Sequence, residues 1–278
     1  MDAAVPLYLN LIKRCLTNSI YAEYEDQSGV QRRGLKRLKN LPAKVRRLIV
    51  QRRLPVLHPT PTTWEQRSVG LGDAPQVAHT MIGQARLDNI QMCMEDCLDR
   101  GVRGDFIETG VWKGGATILM RAVLKAYGVT DRKVFVADSF EGLPRPNEEK
   151  YPQDKGDHHF TLKDVLAISV EQVQENFRKY DLLDDQVVFL KGWFSETLPK
   201  APIGKLAVAR LDGDMYESTM DAITNLYPKL SVGGYLIVDD YNGLERCKRA
   251  IEDYRRDNGI TDEIISVDWT GVYWQKTK

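Results

Sequence analysis

Residues 105–127 read DFIETGVWKGGATILMRAVLKAY, a short β-rich run that passes through glycines into a helical pattern. Further β-rich runs and helical stretches then alternate as far as residue 257. That alternation predicts an α/β fold with a mostly parallel, doubly wound sheet covered by helices on both faces. The predicted strands are 105–110, 133–138, 186–192, 205–212 and 234–240, and the helices between them cover about 115–127, 169–180, 215–230 and 244–257.

The C-terminal stretch EIISVDWTGVYWQK, residues 263–276, has no helical pattern. Two adjacent strands joined by a tight turn at Trp269–Gly271 must pair antiparallel. We therefore predict five parallel strands followed by an antiparallel hairpin. This arrangement differs from a plain dinucleotide-binding sheet.

The composition is that of an ordinary globular protein. The chain has 278 residues, of which 42% are hydrophobic and 28% charged, and this excludes a disordered or fibrous protein. Its 39 basic residues balance 39 acidic ones, so we expect no protein built to coat nucleic acid. No apolar run approaches a membrane span and the start MDAAVPLYLN is a poor secretory signal, so we expect a cytoplasmic protein. The four cysteines form no spaced framework, and Cys93 and Cys97 lack the second Cys or His pair of a zinc site, which predicts buried free thiols in a reducing compartment.

The N-terminal part of the chain differs from the rest. We predict a helical lid region at 1–80 and a second domain at 81–278. Apolar spacing over 5–24 predicts an amphipathic helix that could serve as a dimer contact, a lid or both, and we expect a homodimer. Residues 31–53 hold ten Lys or Arg and no acid, and a proline-threonine linker follows them.

The basic insert, residues 31–53, is open to three interpretations. It could be a solvated, mobile part of the lid. Its leucines and valines recur at spacings of three and four, so it could instead be a basic amphipathic helix interrupted at Pro42. Such a helix would dock the protein on an anionic membrane as a peripheral protein. The third interpretation is contact with a polyanionic acceptor or nucleic acid.

The glycines after the first predicted strand indicate a ligand site. Gly110, Gly114 and Gly115 are spaced G-x-x-x-G-G, which lets the backbone approach a ligand at a helix N-terminus but misses the dinucleotide fingerprint. Asp138 ends the next strand, where an acid can accept hydrogen bonds from both ribose hydroxyls.

Four aspartates end two further predicted strands, and these are Asp212, Asp214, Asp239 and Asp240. Ligands of open α/β sheets bind outside the carboxyl ends of the strands, so these carboxylates should meet in one crevice. Crowded carboxylates raise one another's pKa, and a hard divalent cation relieves the repulsion. Mg²⁺ fits better than zinc because these segments contain no Cys or His.

Five sequence blocks carry a family resemblance. ETGVWKGGATILMRAVL, VADSFEGLP, GWFSETLP, RLDGDMYEST and GGYLIVDDY, in this order and spacing, resemble the macrocin O-methyltransferase family. Its members are Mg²⁺-dependent and S-adenosylmethionine (SAM)-dependent enzymes that methylate sugar hydroxyls on glycosylated natural products. The resemblance runs from about residue 6 to 24 and 78 to 274, and residues 28–60 depart from it. It implies the methyltransferase fold, in which a terminal hairpin follows the parallel strands.

The resemblance also implies site residues. Asp212, Asp239 and Asp240 match the metal ligands, and Asp214 the proposed general base. The implied cofactor contacts are Glu108 and Gly110 at the methionine end, Asp138 and Ser139 at the ribose, and Gly192, Trp193 and Phe194 near the adenine. Thr80, Met81 and Arg86 lie in the segment HTMIGQARLDN, which resembles the family's segment that covers the cofactor.

The mechanism implied is an in-line methyl transfer to an alcohol. A cation would lower the pKa of the hydroxyl, and Asp214 would accept its proton. His158 and His159, in the loop YPQDKGDHHF, could reach the acceptor as a second base or a hydrogen-bond donor.

Two other functions compete with methyl transfer. One is an NAD-dependent sugar oxidoreductase in the same crevice, which the glycine spacing and the aspartates disfavour. The other is a non-catalytic adaptor that docks on membranes, which the complete set of carboxylates disfavours.

Overall fold

One sheet organises the protein. The strands of the computed structural model are, in chain order, β1 (Asp105–Thr109), β2 (Val134–Asp138), β3 (Val187–Lys191), β4 (Leu206–Leu211), β5 (Leu230–Val238), β6 (Ile265–Ser266) and β7 (Val272–Gln275). They lie in the order β3-β2-β1-β4-β5-β7-β6. Strands β1 to β5 pair parallel, whereas β7 pairs antiparallel with both β5 and β6. The predicted fold class and the terminal hairpin are confirmed.

The structure describes residues 3–21, 68, 70, 75 and 77–278. The basic insert at 31–53 lies outside these ranges, so the three interpretations given for it stay predictions. Within the described ranges, no helix combines the length and the apolar character needed to cross a bilayer.

Helices cover both faces of the sheet. They are α1 (Ala4–Leu16), α2 (Gln84–Asp99), α3 (Gly115–Ala126), α4 (Lys163–Leu166), α5 (Val170–Lys179), α6 (Phe194–Thr197), α7 (Tyr216–Leu226) and α8 (Glu245–Asp257). Successive strand residues point to opposite faces. Phe106 of β1 therefore belongs to the core under α1, α2, α3 and α5, and its neighbour Ile107 to the core under α7 and α8.

Helix α1 is shorter than the predicted 5–24. It ends at Leu16, and the next residues bond back to its last turn: the Thr17 hydroxyl donates to the carbonyl of Lys13. Asn18 then takes a left-handed backbone with φ 52°, which stops the helix. The helix buries Leu9 and Leu16 and exposes Leu7 on its outer face; its role as a dimer contact stays a prediction.

Strand β5 begins at Leu230, four residues before the predicted start. The register against β4 shifts between Leu230 and Tyr235, where Gly233 has φ 85°. The glycines that suggested a later start form an irregularity inside the strand.

The four cysteines carry free thiols, as predicted. Cys93, Cys97 and Cys247 are buried, and burial raises the pKa of Cys97 to about 12. These thiols are therefore packing residues without nucleophilic character at neutral pH.

Candidate functional site

The strand order reverses between β1 and β4, and a crevice opens at their carboxyl ends. Gly110, directly after β1, has φ 82°, and a Cβ atom there would overlap the carbonyl oxygen of Asp212. Only glycine lets the two strand ends approach so closely. The closeness brings the glycine loop and the aspartates into one site.

Replacing Gly110 with alanine is expected to lower the free energy of unfolding by about 3 kcal/mol or more, because it adds overpacking to a left-handed backbone. Gly128→Ala is the matched control. Gly128 also has a positive φ, 64°, but a Cβ there meets nothing within 4 Å. Chemical denaturation of both variants separates clash from strain, and equal losses would contradict the close approach.

Asp138 fastens the glycine loop to the end of β2. Its Oδ2 accepts from the backbone N–H of Val111 at 2.7 Å and its Oδ1 from that of Phe140 at 2.7 Å. Burial raises the pKa of Asp138, and these backbone hydrogen bonds oppose the rise. The Ser139 hydroxyl also donates to Oδ1, at 3.4 Å, so the loop and the carboxylate are held together by several hydrogen bonds.

A cavity of about 350 Å³, here the first cavity, runs along the glycine loop. The predicted cofactor residues that line it are Met81, Gly110, Asp138, Ser139, Gly192, Trp193 and Phe194. A second cavity, of about 270 Å³, adjoins it and is lined by the other three, Thr80, Arg86 and Glu108. The roles of these residues stay predictions.

The segment before α2, residues 78–81, lies against the glycine pair Gly114–Gly115. A Cβ on Gly115 would meet the His79 carbonyl oxygen at 2.5 Å and Thr80 Cβ at 2.6 Å. Lys113 Nζ donates to the carbonyl of Ala78 at 3.1 Å. The segment that contains Thr80 and Met81 is thus held against the loop.

Arg210, which the sequence analysis missed, is the centre of a buried ion network. Its guanidinium donates to Glu108, to Asp239 and, at 2.9 Å, to Asp212 Oδ2. Burial raises the pKa of Glu108 to about 7 in spite of Arg210. Among the described residues, Oε2 of Glu108 has no hydrogen-bond partner. An arginine inside the apolar strand LAVARL was the available signal, because buried arginines need carboxylate partners.

Asp239 has both carboxylate oxygens on arginines. Oδ1 accepts from Arg210, and Oδ2 accepts from Arg86 Nη1 at 2.6 Å. Burial acts to raise the pKa of Asp239, but the two guanidinium groups outweigh it and hold the pKa below its ordinary value. The structure therefore places Asp239 in an ion network, and its expected role as a metal ligand stays a prediction.

Three other carboxylates converge in the second cavity. Asp212, Asp214 and Asp240 each offer an oxygen, and these oxygens lie within 4.8 Å of one another. Burial and mutual repulsion raise the pKa of Asp212 and of Asp240 well above the ordinary value. Oδ2 of Asp240 has no hydrogen-bond partner in the described part of the chain. Half-buried carboxylates that repel one another and include an oxygen without a partner fit a hard divalent cation.

The two candidate histidines, adjacent in the loop at 147–162, differ in position. His159 lines the second cavity, and its Nδ1 lies 3.0 Å from Oδ1 of the buried Asp157. His158 is exposed and does not line either cavity. Sequence reasoning could not choose between adjacent histidines, because the choice depends on which ring Asp157 holds.

Asp154 ties the same loop to the aspartate turn. Fully buried, it accepts from the backbone N–H groups of Tyr216 at 2.8 Å and Glu217 at 2.9 Å. These are the first residues of α7, whose own N-cap, Met215, supplies no side-chain hydrogen bond. Asp154 thus caps the helix that follows Asp214, a residue with φ 57°.

Asp154→Ala is expected to cost about 1 kcal/mol of stability, as lost helix caps do. We also expect it to lower kcat about tenfold or more, because the turn that carries Asp214 would shift. Ser169→Ala removes the side-chain cap of α5, away from the cavities, and should cost similar stability without the loss of kcat. Equal kcat in both variants would show that the cap does not position the site.

A family model described as Macrocin-O-methyltransferase (TylF) matches residues 5–276 of the chain. Demethyldecarbamoylnovobiocin O-methyltransferase of Streptomyces niveus is 57% identical over 206 residues, 74% of this chain and 79% of that protein. The 8-demethyl-8-(2,3-dimethoxy-alpha-L-rhamnosyl)-tetracenomycin-C 4'-O-methyltransferase of Streptomyces olivaceus is 47% identical over 276 residues, 99% of this chain and 95% of that protein.

Solved structures agree with the sequence relatives. The O-methyltransferase NovP superposes with a TM-score of 0.83 at 47% identity, covering 99% of this chain and 100% of that one. The calicheamicin methyltransferase CalS11, with a TM-score of 0.58 and 18% identity, covers 90% of this chain and 92% of that one and shares the fold. The chain is an O-methyltransferase and belongs to the macrocin O-methyltransferase family.

Proposed function

We propose that the protein transfers the methyl group of SAM to a sugar hydroxyl of a glycosylated natural product. The observation that carries this proposal is that the two cavities adjoin and share Gly110, Asp212 and Asp214 as lining residues. A cofactor in the first cavity would reach an acceptor held among the carboxylates of the second. The relative from Streptomyces olivaceus, named for a rhamnosyl group, supports a sugar acceptor.

The first cavity suits SAM. Its volume of about 350 Å³ falls within the range of small-ligand sites. Oε2 of Glu108, on the adjoining second cavity, has no hydrogen-bond partner among the described residues and can accept a hydrogen bond from the methionine amine. Asp138 with Ser139 can bind the ribose. Trp193 and Phe194 offer flat faces to the adenine.

The second cavity suits a divalent cation, and the proposal assigns Mg²⁺ to Asp212 and Asp240. Among the described residues, the cluster whose ligand atoms lie close together there is made of carboxylates, and carboxylate oxygens are donors that Mg²⁺ prefers. Asp239 would have to share an arginine-bonded oxygen in order to join them. A bound cation supplies positive charge that favours loss of the hydroxyl proton.

Asp214 and His159 have different roles in the proposed methyl transfer. The acceptor oxygen attacks the methyl carbon in line, the carbon–sulfur bond breaks, and its electron pair stays on sulfur. Asp214 accepts the hydroxyl proton, and burial raises its pKa, which makes it a stronger base than an exposed carboxylate. His159, held by Asp157, can hydrogen-bond the acceptor from the facing loop.

Calorimetric titration tests the cofactor. SAM is expected to bind and NAD⁺ to give no heat of binding. Asp138→Ala should weaken SAM binding about tenfold or more through lost hydrogen bonds to a charged group. Binding of NAD⁺ without SAM would favour the oxidoreductase and contradict the proposal.

A further inference from the structure

The hairpin turn between β6 and β7 places an aromatic side chain at the second cavity. Trp269 lies in this turn, is 50% exposed and lines the cavity together with Asp212, Asp240 and Thr270. The function proposed above gives it no role. An exposed aromatic side chain beside a cavity lined by carboxylates is unusual, because burial of aromatic surface is favourable.

Asp268 fixes the turn internally and to the core. Its Oδ1 accepts from the backbone N–H groups of Thr270 at 3.0 Å and Gly271 at 2.8 Å. Its Oδ2 accepts from Arg86 Nε at 2.7 Å, in a pair where both side chains are buried. The same arginine bonds Asp239, so one guanidinium joins the turn to the end of β5.

Two further hydrogen bonds strengthen that connection. The Thr270 hydroxyl donates to the carbonyl of Asp239 at 2.8 Å, and the Asn242 N–H donates to the carbonyl of Thr270 at 2.9 Å. The residue that follows Trp269 is thus bonded to the strand end that carries the carboxylates. The backbone that carries Trp269 is therefore held at this strand end, and a fixed backbone favours preorganised binding.

We propose that Trp269 binds the acceptor by stacking on the apolar C–H face of its sugar ring, an inference that rests on the proposed function. A sugar ring has hydroxyls at its edge and C–H groups on its faces. The indole would cover one face while the ring edge points its hydroxyl toward Asp214. The Arg86–Asp268 pair is the positioning element, since it sets where the indole stands.

The arrangement fits a pyranose better than a flat or wholly apolar acceptor. The carboxylates Asp212, Asp214 and Asp240 bind polar groups, and the exposed face of the indole suits an apolar surface. A sugar supplies both on a single ring. Leu162 and Leu166, which also line the cavity, add apolar surface for the remainder of the glycoside.

Steady-state kinetics with demethyldecarbamoylnovobiocin as the acceptor probe test this assignment. Trp269→Ala is expected to raise the acceptor KM about tenfold or more while kcat and SAM affinity change by less than about twofold, as expected for a lost aromatic anchor. Trp269→Phe should recover most of the KM. Ile265→Ala, an exposed side chain of the same hairpin that does not line the cavity, should leave KM unchanged.

A second variant tests the positioning element. Asp268→Asn keeps the shape but weakens the bond to Arg86, so it should raise the acceptor KM while the circular dichroism spectrum stays that of the unaltered protein. An unchanged KM in Trp269→Ala, with an active parent enzyme, would overturn the stacking and leave the proposed function standing. No methyl transfer to the probe glycoside by the parent would contradict the proposed function and the stacking together.

Discussion

Replacing Asp214 with asparagine is expected to lower kcat by about 10² or more, the lower bound for the loss of a positioned general base. SAM affinity should stay within a few-fold, because the proposed ribose and amine contacts are made by other residues. Asparagine is the right probe because it tolerates the left-handed backbone that Asp214 adopts with φ 57°. The variant therefore removes proton acceptance and keeps the turn.

The matched control is Asp96→Asn, which removes a carboxylate from the surface ion pair with Arg100 on α2. Its kcat should equal that of the parent enzyme. If Asp214→Asn also kept the parental kcat, Asp214 would have no part in proton transfer, and the base would have to be sought elsewhere, first at His159.

Exhaustive treatment with EDTA is expected to abolish turnover, and added Mg²⁺ to restore it. Three half-buried carboxylates whose oxygens lie within 4.8 Å of one another are expected to repel until a cation neutralises them. Binding should therefore also stabilise the fold, by about 2.7 kcal/mol at a hundredfold excess over Kd. Full turnover after EDTA would contradict the metal assignment.

The thermal shift separates the metal from catalysis. Mg²⁺ should raise the Tm of the parent enzyme and of Asp96→Asn by several degrees. Asp240→Asn removes the carboxylate whose Oδ2 has no hydrogen-bond partner among the described residues, so its Tm should respond little to Mg²⁺. An equal rise in all three proteins would place the cation at another site.

The sheet could be predicted from the sequence because its information is local. Short β-rich apolar runs, the glycines after β1 and the hairpin turn at Trp269–Gly271 each specify a short-range geometry. The meeting of Asp212 with Asp240 also followed, since the carboxyl ends of neighbouring parallel strands share one edge.

The division of roles within the carboxylates could not be predicted, because it depends on partners far along the chain. Asp239 and Asp240 are neighbours in sequence, yet Asp239 turns to Arg86, 153 residues away, and to Arg210. Nothing local distinguishes the two acids. The end of α1 at Leu16 was missed for a related reason, since the hydroxyl of Thr17 competes for helix carbonyls in a way that apolar spacing does not show.

Transfer of an isotope-labelled methyl group from SAM to a glycoside tests the central claim most directly. The parent enzyme is incubated with labelled SAM, Mg²⁺ and demethyldecarbamoylnovobiocin, and the product is examined by mass spectrometry and by carbon–proton correlation NMR. We predict a product heavier by one methyl substitution, with the labelled carbon correlated to a ring proton of the sugar. Unmodified glycoside, or a label attached to the aglycone, would contradict the claim that this crevice methylates a sugar hydroxyl.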